Sequence, residues 1–350
     1  MKRQVSRKKS SHQVRSGILA TLRLRSLASA VFMASVSMAA RGNPEGGEVV
    51  AGAATIEGEG SPLVRVNQAS SRAVLNWRSF SIGKNERTEF VQPSAESITL
   101  NRVTGVDPTT ILGTMTANGQ IVLVNPNGVL FGSSARVDAA GLVATTHDID
   151  DGDFMRGGPL RFEGGGKPGA SVVNEGLVSI HAAGMAAFVA PHVRNSGLIR
   201  ANLGTVQLAA AQGFTLDFYG DKLISFQLGD EIVDTLTSAD GTPLKALVKN
   251  DGTIEVAGGE VWITAEAARE VVNQSINLSG VVRAGSVSAE GGVIRLSGGG
   301  AVTVERGAVV DASGGQAGGI VSIVTPGKAS VAGEVRVDGG TGVGGRIDVT

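Results

Sequence analysis

The chain has 350 residues, 51 of them glycine, no cysteine and only 4% aromatic residues. That length buries a sizeable core, but a core made mainly of Val, Ile, Leu and Ala; abundant glycine without a three-residue period points to many turns and short strands. Charge is split: residues 1–41 carry nine Lys and Arg and no acid, while the remainder carries 22 basic and 32 acidic residues, a net −10 that argues against nucleic acid as a partner.

The basic start runs into LASAVFMASVSMAA (Leu27–Ala40), an apolar stretch that ends in small residues. This order reads as a secretory signal over residues 1–40, cut near Ala39 or Ala40, with an unusually long basic region before it. Its 14 residues fall short of the roughly 20 that a membrane span needs. The absence of cysteine suits a chain that crosses an oxidising compartment and then threads a pore, because a disulfide would lock a loop there.

The mature chain opens with GGEVVAGAATIEGEG (Gly46–Gly60), expected to form short capping strands. Further on, the apolar runs QIVLV and VLFG flank Asn125-Pro126-Asn127-Gly128. Pro fixes φ at the second position of a turn, and Asn-Gly supplies positions that accept positive φ. An exposed turn at the solenoid's edge is therefore expected, with a β-branched residue at Asn127 costly because of that φ. HDIDDGD (His147–Asp153) lacks the spacing of a calcium loop and reads as a solvated acidic loop. GGGKPG (Gly164–Gly169) imitates a phosphate loop, but Pro168 stands where Ser or Thr is required.

Internal repeats dominate the rest. NEGLV at Asn174, NSGLI at Asn195 and NDGTI at Asn250 share an Asn-x-Gly-x-apolar unit, with a variant, NLSGVV, at Asn277. GGVIRLSG at Gly291, GGIVSIVT at Gly318 and GGRIDVT at Gly344 recur at spacings of 27 and 26 residues. One helical segment is expected, TAEAAREVV (Thr264–Val272). A period in this range means stacked units, each too small to bury its own apolar side. In GGVIRLSG, Ile294 and Leu296 are expected inward, Arg295 and Ser297 outward. Corner glycines are expected to take positive φ, and the repeated Asn to stack as a ladder. The predicted fold is all-β, a right-handed parallel β-helix with an N-terminal cap and extra-helical strands, winding about 12–15 coils over roughly 60–70 Å. The final GGRIDVT breaks off inside a repeat, so a longer protein, or a partner covering that end, is expected.

NWRSFSIGKNERTEFVQPSAESITLNRVTG (Asn76–Gly105) followed by ILGTMTANGQIVLVNPNGVLFG (Ile111–Gly132) closely resembles the two-partner-secretion domain, also called the filamentous haemagglutinin N-terminal or haemagglutination-activity domain. The resemblance is carried by NPNG together with Asn76-Trp77, the run Phe80-Ser81-Ile82-Gly83 and Asn101-Arg102-Val103, in this order. It is strong over Gly46–Asp153, and Arg161–Ile199 looks like the first repeats that follow in such exoproteins. Some members carry a second motif, NPNL, which this chain lacks, so it looks more like the high-molecular-weight adhesin branch.

The resemblance implies a secretion domain over 41–153 and β-helix repeats over 154–350. It also implies an adhesin-like exoprotein exported through the periplasm to the surface of a Gram-negative bacterium. The implied partners are an outer-membrane β-barrel translocator with periplasmic POTRA domains and, after export, a host-cell or surface receptor. Asn125, Pro126, Asn127 and Gly128 become the candidate recognition turn, with Asn76, Trp77, Phe80, Ile82, Gly83, Asn101, Arg102 and Val103 in support.

No cofactor, metal or catalytic residue is expected. His12, His147, His181 and His192 fit no metal or nucleophile pattern. Two competing readings share the fold. A β-helix polysaccharide lyase needs carboxylates beside a basic residue; Arg194 and Arg200 flank one repeat, with no carboxylate evident at repeat spacing. A contact-dependent toxin stalk would keep its toxin beyond Thr350.

Overall fold

The computed structural model describes residues 42–350 except 165, 168, 218–223, 227–245, 266–273 and 287–289. The leader, Gly165 and Pro168 of GGGKPG, and most of the expected helix Thr264–Val272 lie outside the described residues. Thr264 and Ala265 close the strand Glu260–Ala265.

Short apolar-alternating segments stack in parallel and in register on three successive faces. On the first face, Cα partners run Leu63, Arg87, Thr114, Arg136, Leu177, Leu198, Thr253, Val281, Val309 and Glu334. On the second they run Asn76, Arg102, Val124, Thr145, Val189, Ala209, Thr264, Ser297 and Val324. A sheet of eight parallel strands, from Thr109–Ile111 to Ala329–Val331, forms the third. This is the expected parallel β-helix. Among the described residues it has ten rungs on its first face rather than 12–15 coils, because residues are spent on the cap and on excursions from the helix.

The expected cap forms. Glu48–Ala51 and Ala54–Glu57 run antiparallel to Arg72–Trp77 and Leu63–Gln68, closing the first coil. Inside, Ile294 and Leu296 are buried while Arg295 is exposed, as the alternation predicts. Several of the few aromatic residues pair in the interior: Trp77 meets Phe80 edge-on at 5.6 Å, Phe80 stacks on Phe90 at 6.4 Å, and Phe131 stacks on Phe188 at 5.5 Å.

Two repeat signals take on physical meaning. Asn174 Nδ2 donates to Asn195 Oδ1 at 2.8 Å, and Asn195 Nδ2 to Asn250 Oδ1 at 2.7 Å, so the Asn ladder is real. It ends there, because Leu278, not Asn277, pairs with Asn250. The doubled glycines are required for a different reason from the one expected. Gly292, Gly319 and Gly345 do not have positive φ. A Cβ on each would instead strike the carbonyl oxygen of Gly259, Gly292 and Gly319 respectively, one coil below.

The extra-helical strands Leu160–Phe162, Phe214–Leu216 and Ile224–Phe226 form an antiparallel sheet. A short helix, α1 (Asp151–Arg156), precedes them. Phe154, Leu160, Phe162, Phe214 and Leu216 lie over the outward side chains Val74, Ile98, Leu100, Val122, Val143, Ala187 and Ala209. The second face is therefore buried on both sides in these rungs, with Leu75, Ile121 and Leu123 facing the interior. Residues read as a solvated acidic loop start α1: Asp150 caps it, its side chain accepting from Asp153 N at 3.0 Å.

Candidate functional site

The NPNG tetrapeptide joins the second face to the third. Gly128 N donates to Asn125 O at 3.0 Å, closing a four-residue turn with Pro126 and Asn127 at its centre. Only Gly128 has positive φ, +111°. Asn127 does not, so the turn is type I and the expected backbone strain at Asn127 is absent. The turn is not exposed either: Asn125 and Gly128 are buried, Pro126 and Asn127 half-buried.

Side chains hold the turn together. Asn125 Oδ1 accepts from Asn127 N and from Asn127 Nδ2, each at 2.9 Å. Asn125 Nδ2 donates to Asp107 O at 3.1 Å and to Thr109 Oγ1 at 3.0 Å. Asn127 Nδ2 also donates to Gly105 O at 3.0 Å. From above, Asn125 N donates to Thr145 O at 3.0 Å and Lys167 N to Pro126 O at 2.9 Å. Gly166 and Lys167 thus lie over the turn.

Five of the eight supporting residues lie in the rungs beneath. Arg102 pairs with Val124 in the rung above and with Asn76 in the rung below, and Val103 pairs with Trp77. Trp77 Nε1 donates to Asn101 Oδ1 at 3.0 Å in the buried interior. Phe80, Ile82 and Gly83 form the third side of the first coil. Ile82 N donates to Thr110 O at 3.0 Å, and Gly83 N to Glu86 Oε2 at 2.7 Å. Asn76, Trp77, Asn101, Arg102, Val103 and NPNG are therefore neighbours in three stacked rungs, whereas Phe80, Ile82 and Gly83 occupy a different side.

Arg102 reaches outward. Its guanidinium donates to Asp148 Oδ1 at 2.7 Å, Asp151 Oδ1 at 2.6 Å, Ile149 O at 2.5 Å and Asn76 Oδ1 at 3.3 Å. Burial lowers its pKa, but the two aspartates outweigh that and leave it raised. Sequence reading picked out Arg102 and the aspartates separately, and nothing in their spacing revealed the link.

A sequence model of the TPS secretion domain family matches residues 40–310. The chain belongs to that family. It is the secretion domain of a two-partner-secreted exoprotein, and TPS exoproteins are secreted across the outer membrane of Gram-negative bacteria. This TPS domain is 34% identical over 264 residues to a heme/hemopexin-binding protein of Haemophilus influenzae, covering 74% of this chain and 27% of that protein. A second Haemophilus influenzae protein of the same name is 38% identical over 107 residues, 31% of this chain and 12% of its own length. The TPS domain thus spans about a quarter or less of the curated relatives it matches.

In fold it is similar to the HMW1 secretion domain from Haemophilus influenzae, with TM-score 0.62 and 23% identity over 88% of this chain and 96% of that one. It is also similar to the filamentous hemagglutinin secretion domain, with TM-score 0.51 and 15% identity over 86% and 99% of the two chains.

The histidines named from the sequence lie apart from the NPNG group, except His12, which is outside the described residues. His147 is buried beneath Phe214, its ring edge-on at 5.9 Å, and burial pushes its pKa down to about 4. His192 is also buried, and burial, helped by Arg194 and Lys249, pushes it down to about 4. His181 pairs with Asp138 at 2.7 Å on the exposed surface. The register supplies carboxylates that sequence spacing had not revealed: Arg194 meets Asp251 at 2.8 Å and Arg200 meets Glu255 at 3.0 Å, each as an ion pair across coils.

Proposed function

We propose that this TPS domain is the address by which a larger adhesin-like exoprotein is recognised in the periplasm by a β-barrel translocator carrying POTRA domains. On this reading a leader over residues 1–40 is removed first. Residues 41–153 then carry the recognised part, and 154–350 form β-helix rungs that fold after passage. The product is displayed on or released from the cell, where it meets a surface receptor.

The observation that supports this most directly is the stacking of the NPNG turn on the Asn101–Gly105 segment, with Asn76 and Trp77 beneath, next to a capped first coil. Every member of that group shapes the first rungs, and Asn125 is fully buried. The tetrapeptide therefore acts through the shape it gives these rungs, and recognition is spread over them. The β-helix also supplies a free-energy source for export without ATP: each stacked coil adds a nearest-neighbour interface that makes return through the pore costlier.

The test is export of the 350-residue chain from cells that make or lack the neighbouring barrel gene's product. Release into the medium is expected only with the barrel. Equal release without it would overturn the reading.

A further inference from the structure

The excursions from the β-helix raise a question that secretion alone does not answer. Leu160–Phe162 pairs with Phe214–Leu216, and between those two strands lie the rung strands Ser171–Asn174, Leu177–Ala190, His192–Asn195, Leu198–Ala201 and Thr205–Ala210. The outer sheet therefore cannot form until those coils have been laid down. Its internal clasp is Phe162 on Phe214, stacked at 4.5 Å.

The other end of the excursion is pinned to an early rung. Arg102 grips Asp148, Ile149 O and Asp151 at once. Alongside, Arg72 Nη1 donates to Phe154 O at 2.8 Å and its guanidinium lies 5.5 Å from the Phe154 ring centroid. The backbones of Asp148 and Glu163 exchange two hydrogen bonds, at 3.0 and 2.8 Å, where the excursion leaves and returns. Beneath it lies an apolar surface, Val74, Leu100, Val122, Val143 and Ala187, that is bare to water until the excursion covers it.

We propose that α1 and the outer strands form a strap that closes only after the Thr205–Ala210 rung is in place, and that Arg102 is the positioning residue that latches it. The latch joins rungs separated in synthesis and in export, so closure reports that several coils are complete. It converts a stack of pairwise-stable rungs into one unit with a defined end point. A guanidinium is required because three acceptors at different angles are held by one planar fork; an ammonium offers a single point charge.

The test is amide hydrogen exchange on the purified full chain, comparing wild type with Phe214→Ser, Arg102→Met and Arg102→Lys. In all three variants, amides of 148–163 and 214–216 are expected to exchange at least tenfold faster, while those of Gln120–Val124 keep wild-type protection. Binding of an apolar dye should rise in parallel. Three results would each overturn the proposal. Unchanged exchange over 148–163 in Phe214→Ser would mean that this end closes on its own. Full protection in Arg102→Lys would mean that charge alone suffices. Equal acceleration in every rung would mean that the strap is not a separable unit.

Discussion

The side-chain amide of Asn127 donates to the carbonyl of Gly105 at 3.0 Å, tying the NPNG turn to the segment that leaves the rung below. Because the Asn127 backbone is not left-handed, this bond and the one to Asn125 are what a substitution removes. Asn127→Val and Asn127→Ala should therefore lose the same stability, about 1–2 kcal/mol, read from urea midpoints. A markedly larger loss for Val would restore the backbone-strain explanation.

Gly128 is the position where strain does apply. Its φ is +111°, and a Cβ at this position would lie only 3.1 Å from Ser171 O. Gly128→Ala should therefore lose about 1–3 kcal/mol. If the midpoint is unchanged, the turn is softer than its hydrogen bonds imply.

Acid should weaken the fold in a defined window. His147 and His192 are pushed down to about 4 from the ordinary 6.5, so the unfolded chain takes up protons first. Their contribution is complete above pH 6.5 and declines as pH falls towards 4, by on the order of 3 kcal/mol for each residue. Asp251 acts lower down. Burial raises it, but Arg194, Ser196 and Lys249 outweigh that and hold it at about 2, so its contribution is lost only below 3.8. Urea titrations at pH 7.5 and 4.5 should show the loss, and His147→Phe should shrink it. Identical midpoints at the two pH values would refute the assignment.

Leu203 has φ +54°, and Gly258 occupies the corresponding corner one coil later with φ +71°. A left-handed leucine is held against its preference, and its side chain is exposed. Leu203→Gly should therefore stabilise the domain by up to about 1 kcal/mol, visible as a raised melting temperature. A lowered value would show that the Leu203 side chain contributes more than its strain takes away.

The Asn ladder should show the asymmetry of buried hydrogen bonds. Asn195→Ala leaves Asn174 and Asn250 facing an absent partner and should cost about 1–3 kcal/mol. Replacing all three by Leu, the residue the chain itself uses next in that column at position 278, should cost less than the sum of three single substitutions. Simple additivity, measured by denaturant unfolding, would argue against a cooperative ladder.

Much of the helix was legible because its signals are local. The alternation in GGVIRLSG, the Asn-x-Gly units and the spacing of the doubled glycines each belong to one coil, and parallel in-register stacking repeats them. What stayed hidden depends on contacts between distant segments. IVLV at 121–124 is apolar at every position, a pattern of burial on both sides, yet nothing local says that Phe154 and Phe214 provide the second cover. Arg102 looked like a motif residue and His147–Asp153 like a loop, since 46 residues separate Arg102 from Asp148. The role of Gly292 was misread for the same reason: the atom it must avoid is the carbonyl of Gly259.

The Asn ladder carries a consequence for how such molecules diversify. Asn174 and Asn195 are 21 residues apart and bond at 2.8 Å; Asn195 and Asn250 are 55 apart and bond at 2.7 Å. The pitch is indifferent to how much chain is spent between one turn of the spiral and the next. Chain of different lengths can thus be spent between successive turns while the rungs on either side keep their register.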